Sequence, residues 1–392
     1  MLTTNFVQKN AFLSTFIAVN VIAFIALLGI FVSSDAHAKT SGIYTVKNVK
    51  IDITAKSAVQ AREQAFKQAQ RKAFMTLLNR IVSGEDISQF EEFDDQYIGS
   101  LVQDFEITSE KTSNVRYIGT YTFRFSQNAL QELLNNNNLA YTDVGSKPIL
   151  ILPFYHDGSQ TIIWDNNNPW MNAWNKQDSY QGLVPMIVPV GDLMDTADIQ
   201  NNQALSYNQE NLRSMISRYE AGEALIAMAL PQFKTGGSTP DTLDIMLYRT
   251  DRNTPELAAK ITVQADQSGK DIFSAAVIKT QAKLQQDWKQ RTTTSSSQSN
   301  NLKVRAAFKS MRQWVETHQA LKKVQGVHSV KVLSLTPDHA IITMSFNGSE
   351  SRLRLALAQS DISLSEPHVS FNAAGGSPLE YDLHLNKYAM PR

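Results

Sequence analysis

The chain contains no cysteine among its 392 residues, and this absence removes several possibilities at once. No disulfide can cross-link the fold, no thiolate can bind a metal, and no lipid can be attached to an N-terminal cysteine. Stability must therefore come from the burial of apolar surface, for which a chain of this length is ample.

Neither sign of charge is in excess, since Lys plus Arg number 37 and Asp plus Glu also number 37. A nucleic-acid-binding protein needs a basic excess or a basic face, so we expect no nucleic-acid partner.

Sequence motifs typical of catalytic or metal sites are also scarce. The sequence has no Gly-x-Ser-x-Gly, no glycine-rich phosphate loop, and no metal-ligand spacing among its seven histidines. We therefore assign no catalytic residue, no metal and no other cofactor.

The first forty residues contain a long apolar run. No charge occurs between residues 11 and 32, and the small residues Ala36 and Ala38 stand just before Lys39. This pattern is typical of a signal peptide, here residues 1–38, and it predicts a periplasmic protein. The run of about 22 residues is also long enough to span a bilayer. An inner-membrane anchor facing the periplasm is therefore the alternative, and it would be the chain's only membrane contact.

We expect N-terminal sequencing of the protein purified from cells to begin at Lys39, because signal peptidase cuts after a small-x-small pattern. A chain that begins at Met1 and sediments with membranes would contradict cleavage and support the anchor.

Two breaks in composition divide the rest of the chain. The first is a run of asparagines followed by Gly-Ser-Lys-Pro, and the second is the polar run RTTTSSSQSNN at 291–301. Turn-forming residues favour boundaries, and a stretch without apolar residues favours a linker. The breaks predict an N-terminal domain over 40–143, a middle domain over 147–291, a flexible linker over 292–301 and a C-terminal domain over 302–390.

Apolar periodicity predicts a small α+β sandwich in each of the two outer segments. In the first, a strand with a bulge near Lys47 and Asn48 precedes a long helix capped by Ser57, in which alanine recurs every fourth residue. Two strands and a short helix follow. In the last segment, a helix over 304–321 precedes a hairpin, a second helix and a strand.

The middle segment is predicted to hold a mixed sheet. Three apolar runs, KPILILPF, GLVPMIVPVGDL and EALIAMAL, are typical of buried central strands. The alternating TLDIMLYR predicts a further strand, and residues 271–290 predict a long helix. The whole chain is therefore expected to be of the α+β / α/β class, with three small domains.

Particular sequence motifs resemble known envelope proteins. The stretch IYTVKNVKIDITAKSAVQAREQAFKQAQRKAFMTLLNRI resembles the proteobacterial envelope domain-of-unknown-function family 2066. ILILPF together with RSMISRYEAGEALIAMAL is similar to the TolB N-terminal domain and the CsgG-like periplasmic fold. The resemblance covers most of the chain after residue 38. Its motifs are packing motifs, so it implies a fold and an envelope location and brings no activity with it.

The best candidate for a binding surface is an aromatic stretch within a polar, loop-like sequence, WDNNNPWMNAW. Aromatic side chains on polar loops recognise peptides, sugars and proteins. The alternative is that these rings pack beneath their own segment. The predicted partner-binding residues are Tyr155, Trp164, Trp170, Trp174 and Tyr180.

A weaker candidate site is polar. His156 and Asp157 follow the first buried strand, where α/β sheets place ligands, and Asp165 comes soon after in the sequence. The alternative is an ordinary polar loop. An acidic trio at 192, 195 and 198 follows the second apolar run, and helix capping explains its first member equally well.

Together, these features favour an exported, non-catalytic envelope protein that acts as a periplasmic adaptor or assembly factor and binds other envelope proteins. The alternative is an envelope hydrolase or glycan-binding protein that uses the aromatic stretch over 155–180.

Overall fold

A computed structural model of the protein describes residues 42–83, 87–177, 182–234, 239–251, 254–265, 271–294, 299–369 and 379–386. The predicted signal peptide and Tyr180 lie outside these residues. Residues 41–392 group as one compact unit, and its helices and mixed sheets confirm the α+β / α/β class. Within the described ranges, no helix combines the length and apolar character that a membrane crossing needs.

The N-terminal part is an antiparallel sheet with one long helix packed across it. The strand order is β1-β3-β2, so β3 is central. The helix covers β1 and β3, and β2 lies at an edge. The elements are β1 (Thr45–Thr54), α1 (Ala58–Ile81), α2 (Asp95–Ser100), β2 (Val102–Thr112), β3 (Arg116–Phe125) and α3 (Gln127–Asn136).

Sequence patterns predicted this layer well. The pairing register of β1 shifts between Val46 and Val49, which is the predicted bulge. The Ser57 side chain accepts a hydrogen bond from the backbone N–H of Gln60 at 3.3 Å and begins α1. The helix lies close to the sheet because its contact stripe is made of small side chains. The stripe is fully buried and comprises Ala61, Ala65, Ala69 and Ala73.

The middle part is a mixed sheet in which β4 pairs in parallel with both β7 and β8, while β8, β9 and β10 are antiparallel. The strands are β4 (Ile149–Leu152), β5 (Tyr155–His156), β6 (Thr161–Ile162), β7 (Met186–Ile187), β8 (Glu223–Gln232), β9 (Thr242–Arg249) and β10 (Glu256–Gln264). The helices are α4 (Pro169–Asn175), α5 (Leu193–Asp198), α6 (Gln209–Arg218) and α7 (Ile272–Thr292).

The run GLVPMIVPVGDL was predicted to be a buried strand, and this prediction holds only at its centre. Met186 and Ile187 form a half-buried strand that pairs with β4. Pro185 and Pro189 stand on either side and have no N–H to donate to a ladder, so the pairing stays short.

The C-terminal part is a five-stranded sheet in the order β12-β13-β11-β17-β14 with two helices. Its first element is a strand, so the helix predicted over 304–321 is wrong at its start. Val304, Ala306 and Phe308 are buried at every second position, and the helix begins only after Ser310. The elements are β11 (Ser299–Ala307), α8 (Met311–Leu321), β12 (Val327–Leu335), β13 (His339–Asn347), α9 (Glu350–Gln359), β14 (Ile362–Leu364), β15 (His368–Val369), β16 (Leu379–Glu380) and β17 (Asp382–Leu385).

The polar run predicted to be a flexible linker over 292–301 is built into the fold wherever it is described. Thr292 is fully buried at the end of α7, and its hydroxyl donates to the carbonyl of Trp288 at 2.8 Å. Thr294 pairs with Tyr141, and β11 starts at residue 299. Residues 295–298 lie outside the described ranges. The composition misled because a threonine whose hydroxyl is hydrogen-bonded can be buried without a large penalty.

The N-terminal segment, the end of α7 and the C-terminal segment meet at a buried ion pair between Asp143 and Arg352, each 2% exposed. The second carboxylate oxygen of Asp143 accepts from the Gln131 amide at 3.1 Å, and Nε of Arg352 donates to the carbonyl of Thr292 at 2.7 Å. Gly326, at φ +82°, leaves room for the guanidinium, since a Cβ there would lie 2.7 Å from Nη1. This junction lies within a continuous apolar core to which all three segments contribute.

Candidate functional site

The aromatic stretch contains a helix, α4, whose start is fixed by Asn168. This side chain is fully buried, and its oxygen accepts from the backbone N–H groups of Trp170 and Met171, both at 3.0 Å. Its amide donates to the carbonyl of Pro153 at the end of the first buried strand. Pro169 occupies the first helical position, where its missing N–H costs nothing. The stretch is therefore anchored to the sheet.

Trp170 and Trp174 are buried, so they form no partner-binding surface and that prediction is corrected. Trp170 is 0% exposed, and its indole N–H donates to the carbonyl of Ala227 in β8 at 2.9 Å. Trp174 is 4% exposed and packs edge-to-face on Trp170, with 5.5 Å between ring centroids. Helix α4 lies against α7. The two rings fill the space between the sheet and its neighbouring helices.

Tyr155 and Trp164 are half-buried and are also held from within. The ring of Tyr155 packs against Phe273 of α7 at 5.8 Å. The indole N–H of Trp164 donates to the carbonyl of Ile199 at 2.6 Å. Each described member of the candidate binding surface is therefore at least half-buried and has a partner within the fold.

The sequence does carry a signal for this outcome. Asn168 followed by Pro169 is a strong helix start, and Trp170 and Trp174 are four residues apart, so they share one helical face. The abundance of asparagine in WDNNNPWMNAW favoured a loop and obscured both clues.

The polar candidates each build a local turn. Nδ1 of His156 lies 3.0 Å from the hydroxyl of Thr161 across the β5–β6 hairpin. Asp157 accepts from the N–H of Gln160 and from the N–H and hydroxyl of Ser159, and these bonds lower its pKa to about 2. Asp165 is exposed and accepts from the N–H of Asn167. Asp157 is thus ionised at neutral pH and unsuited to donating a proton.

The acidic trio at 192, 195 and 198 has structural partners as well. Asp192 caps α5 by accepting from the N–H groups of Met194 and Asp195. Asp195 is fully buried and accepts from Arg218 at 2.8 Å and from the Tyr219 hydroxyl at 2.6 Å. Asp198 bonds to the same guanidinium, also at 2.8 Å. Burial together with the bond to Asp195 raises the pKa of Tyr219.

The Asp195 network holds an exposed apolar turn that follows β7, here called the 190–194 tip. Val190, Leu193 and Met194 are 75%, 88% and 58% exposed. The N–H of Gly191 donates to Asp195 at 3.0 Å, and the N–H of Val190 donates to the Tyr219 hydroxyl at 3.1 Å. The backbone of the tip is therefore held in place, and the tip exposes three apolar side chains to solvent.

The position of the tip is informative. It follows β7, which runs parallel to β4, and so lies beyond the carboxyl end of a parallel strand. Open α/β sheets place their binding loops at this edge. Large exposed apolar groups grouped together and rimmed by polar residues mark interaction sites. Sequence reasoning missed the tip because Val190 and Leu193 were assigned to a buried strand. The pair Gly191-Asp192, a turn followed by a helix cap, could have revealed it.

Within the described ranges, no group of three or more histidine, aspartate or glutamate side chains is placed to hold a metal ion. No family model matches the chain, and the search of curated proteins found no relative.

Proposed function

We propose that the protein is an exported, non-catalytic envelope protein, a periplasmic adaptor or assembly factor that binds another envelope protein through the 190–194 tip. The observation that carries this proposal is the tip itself. Leu193 is 88% exposed and lies beside Val190 and Met194, so a partner that covers the tip removes three apolar side chains from water. Because the backbone is held by Asp195 and Tyr219, little ordering entropy is lost when a partner covers the tip.

The location rests on the leader pattern at 1–38 and on the sequence resemblance to envelope family 2066 and the TolB-like periplasmic fold. The mixed sheet around β4 is compatible with that resemblance. The envelope hydrolase or glycan-binding alternative has no support from the geometry, because Trp170 and Trp174 are packed inside and Asp157 and Asp165 each hold a turn.

Photo-crosslinking in intact cells tests the proposal. With p-benzoylphenylalanine at position 193, we expect a discrete adduct of higher mass, whose partner is then identified by mass spectrometry as an envelope protein. A Val190→Ser/Met194→Ser background should weaken partner binding by about 1–2 kcal/mol, because it removes apolar contact from the centre of the interface. The adduct should then fade.

The matched control places the same probe at Ile278, an apolar residue of α7 that is 57% exposed. A specific partner gives no adduct there. Equal adducts from both positions, or none from position 193 in cells that express the protein at its native level, would remove the tip as the binding site.

A further inference from the structure

The edge strand β2 is a second surface, and no other described strand covers its free edge. Among the described residues β2 pairs only with β3, so one side of its backbone is free over a strand of 11 residues. Helix α1 packs mainly over β1 and β3 and reaches the same face of β2 only at its side, through Phe66 on Phe105 and Arg62 on Glu110. Unpaired edges of this length are templates for the addition of another strand.

An apolar groove of about 470 Å³ runs between α1 and β2. Phe105 of β2 is 47% exposed and lies 4.8 Å, centroid to centroid, from Phe66 of α1. At one end, Glu110 is held by Arg62 at 3.4 Å and by the Tyr117 hydroxyl at 2.8 Å. The groove is lined by Val59, Arg62, Glu63, Phe66, Phe105, Ile107 and Tyr121.

The opposite face of β2 carries separated charges. Near its start, Asp104 and Glu106 share the guanidinium of Arg124, which leaves one negative charge in excess. Near its end, Lys111 is exposed and forms no ion pair with a described carboxylate. The strand is thus negative in its first half and positive in its second half on this face. Such a pattern is complementary to a copy of itself laid antiparallel.

A bulge makes this self-pairing geometrically consistent. The register with β3 shifts between Ile107 and Ser109. Before this bulge the odd-numbered residues lie on the groove face, and after it the even-numbered residues do. In a regular strand, a two-fold axis between two residues would bring opposite faces together. Here the groove face holds Phe105, Ile107, Glu110 and Thr112, and the charged face holds Asp104, Glu106, Ser109 and Lys111.

We infer that β2 is a homodimer interface, in which a second copy of this chain adds its own β2 antiparallel about a two-fold axis between Thr108 and Ser109. Glu106 then lies opposite Lys111 of the second copy, and this pair occurs twice by symmetry. Phe105 lies opposite Thr112, so both grooves are closed along one continuous six-stranded sheet. Cross-strand pairs of this kind are the units that stabilise a sheet.

The same features favour a second copy of this chain, rather than an unrelated strand, as the partner of β2. Charged side chains and bulges normally protect an edge from indiscriminate pairing. Here they suit a partner that is positive where β2 is negative and that carries a bulge at the same place. The interface is isologous and closes on itself, so it stops at a dimer.

Sedimentation velocity of the protein purified from cells tests the inference. We expect a dimer at micromolar concentration. Glu106→Lys places like charges opposite each other twice and should raise the dimer dissociation constant about tenfold or more. The charge swap Glu106→Lys/Lys111→Glu should restore it. Circular dichroism shows whether each variant is folded, and in every variant Arg124 keeps its bond to Asp104.

Lys331→Glu is the matched control, because Lys331 is exposed on β12, an edge strand of another sheet, and its replacement should leave the dimer unchanged. A monomer throughout the micromolar range would overturn the inference. So would a dimer that Glu106→Lys leaves equally tight, or a folded charge-swap variant that stays as weak as the single variant. These results do not depend on the crosslinks from position 193, so the dimer and the adaptor role can fail separately.

Discussion

Replacing Arg352 with methionine should lower the free energy of unfolding by about 3–5 kcal/mol, because the buried carboxylate of Asp143 loses its counter-charge. The carbonyl of Thr292 also loses a donor. A loss of this size is a large share of the stability of an ordinary domain. Urea unfolding followed by circular dichroism measures it.

A double-mutant cycle separates the ion pair from the packing of the long side chain. Asp143→Asn alone should also be costly, and Asp143→Asn/Arg352→Met should lose clearly less than the sum of the two single losses. Arg116→Met is the matched control, since Arg116 pairs with Asp52 at the surface, with side chains 55% and 49% exposed, and should cost at most about 1 kcal/mol. Equal losses for Arg352→Met and Arg116→Met would contradict the buried junction.

Replacing Trp170 with alanine should cost about 3–5 kcal/mol of unfolding free energy, because it opens a cavity between the sheet and α7. The carbonyl of Ala227 would also lose the indole N–H that it accepts. Thermal and urea unfolding should both report the loss, and Trp170→Phe should lose less because it keeps part of the ring.

The control for this cavity is Leu193→Ala in the 190–194 tip, where the side chain is 88% exposed. We expect its unfolding free energy to stay within about 0.5 kcal/mol of the wild type. If Trp170→Ala were equally harmless, the ring would have to face solvent, and the aromatic stretch would return as a candidate binding surface.

The elements that could be predicted from the sequence are those with a strong local pattern. Ser57 caps α1, the alanine stripe is buried, and the hairpin of β12 and β13 turns at Pro337 and Asp338. In each case the residues that decide the structure are neighbours along the chain. Periodicity and turn chemistry are therefore enough.

The errors over the linker and the start of the C-terminal segment occur where a partner distant in the sequence decides the structure. Thr292 and Thr294 read as linker residues, but Thr142 and Tyr141 hold them from about 150 residues away along the chain. Strand β11 finds its partners in β13 and β17, later in the sequence. Its alternating apolar residues were therefore merged with the helix that follows.

The candidate site shows the same limit. The candidate site residues were chosen by amino-acid type, and the type of a residue does not determine how exposed its side chain is. Tryptophan is normally highly buried, and Trp170 follows that rule. The tip at 190–194 was overlooked because valine, leucine and methionine suggest a core, and only the turn set by Gly191 and the Asp195 network places them outside.

The Asp143–Arg352 pair also has a consequence for the order in which the protein can mature. Its two members are 209 residues apart. At a synthesis rate of roughly 5–20 residues per second, Asp143 emerges about 10–40 s before its partner. Until Arg352 has been made, burial of the Asp143 carboxylate would leave it without its counter-charge, which is costly. We therefore expect the surroundings of Asp143 to reach their final packing only after the C-terminal segment that carries Arg352 has been made.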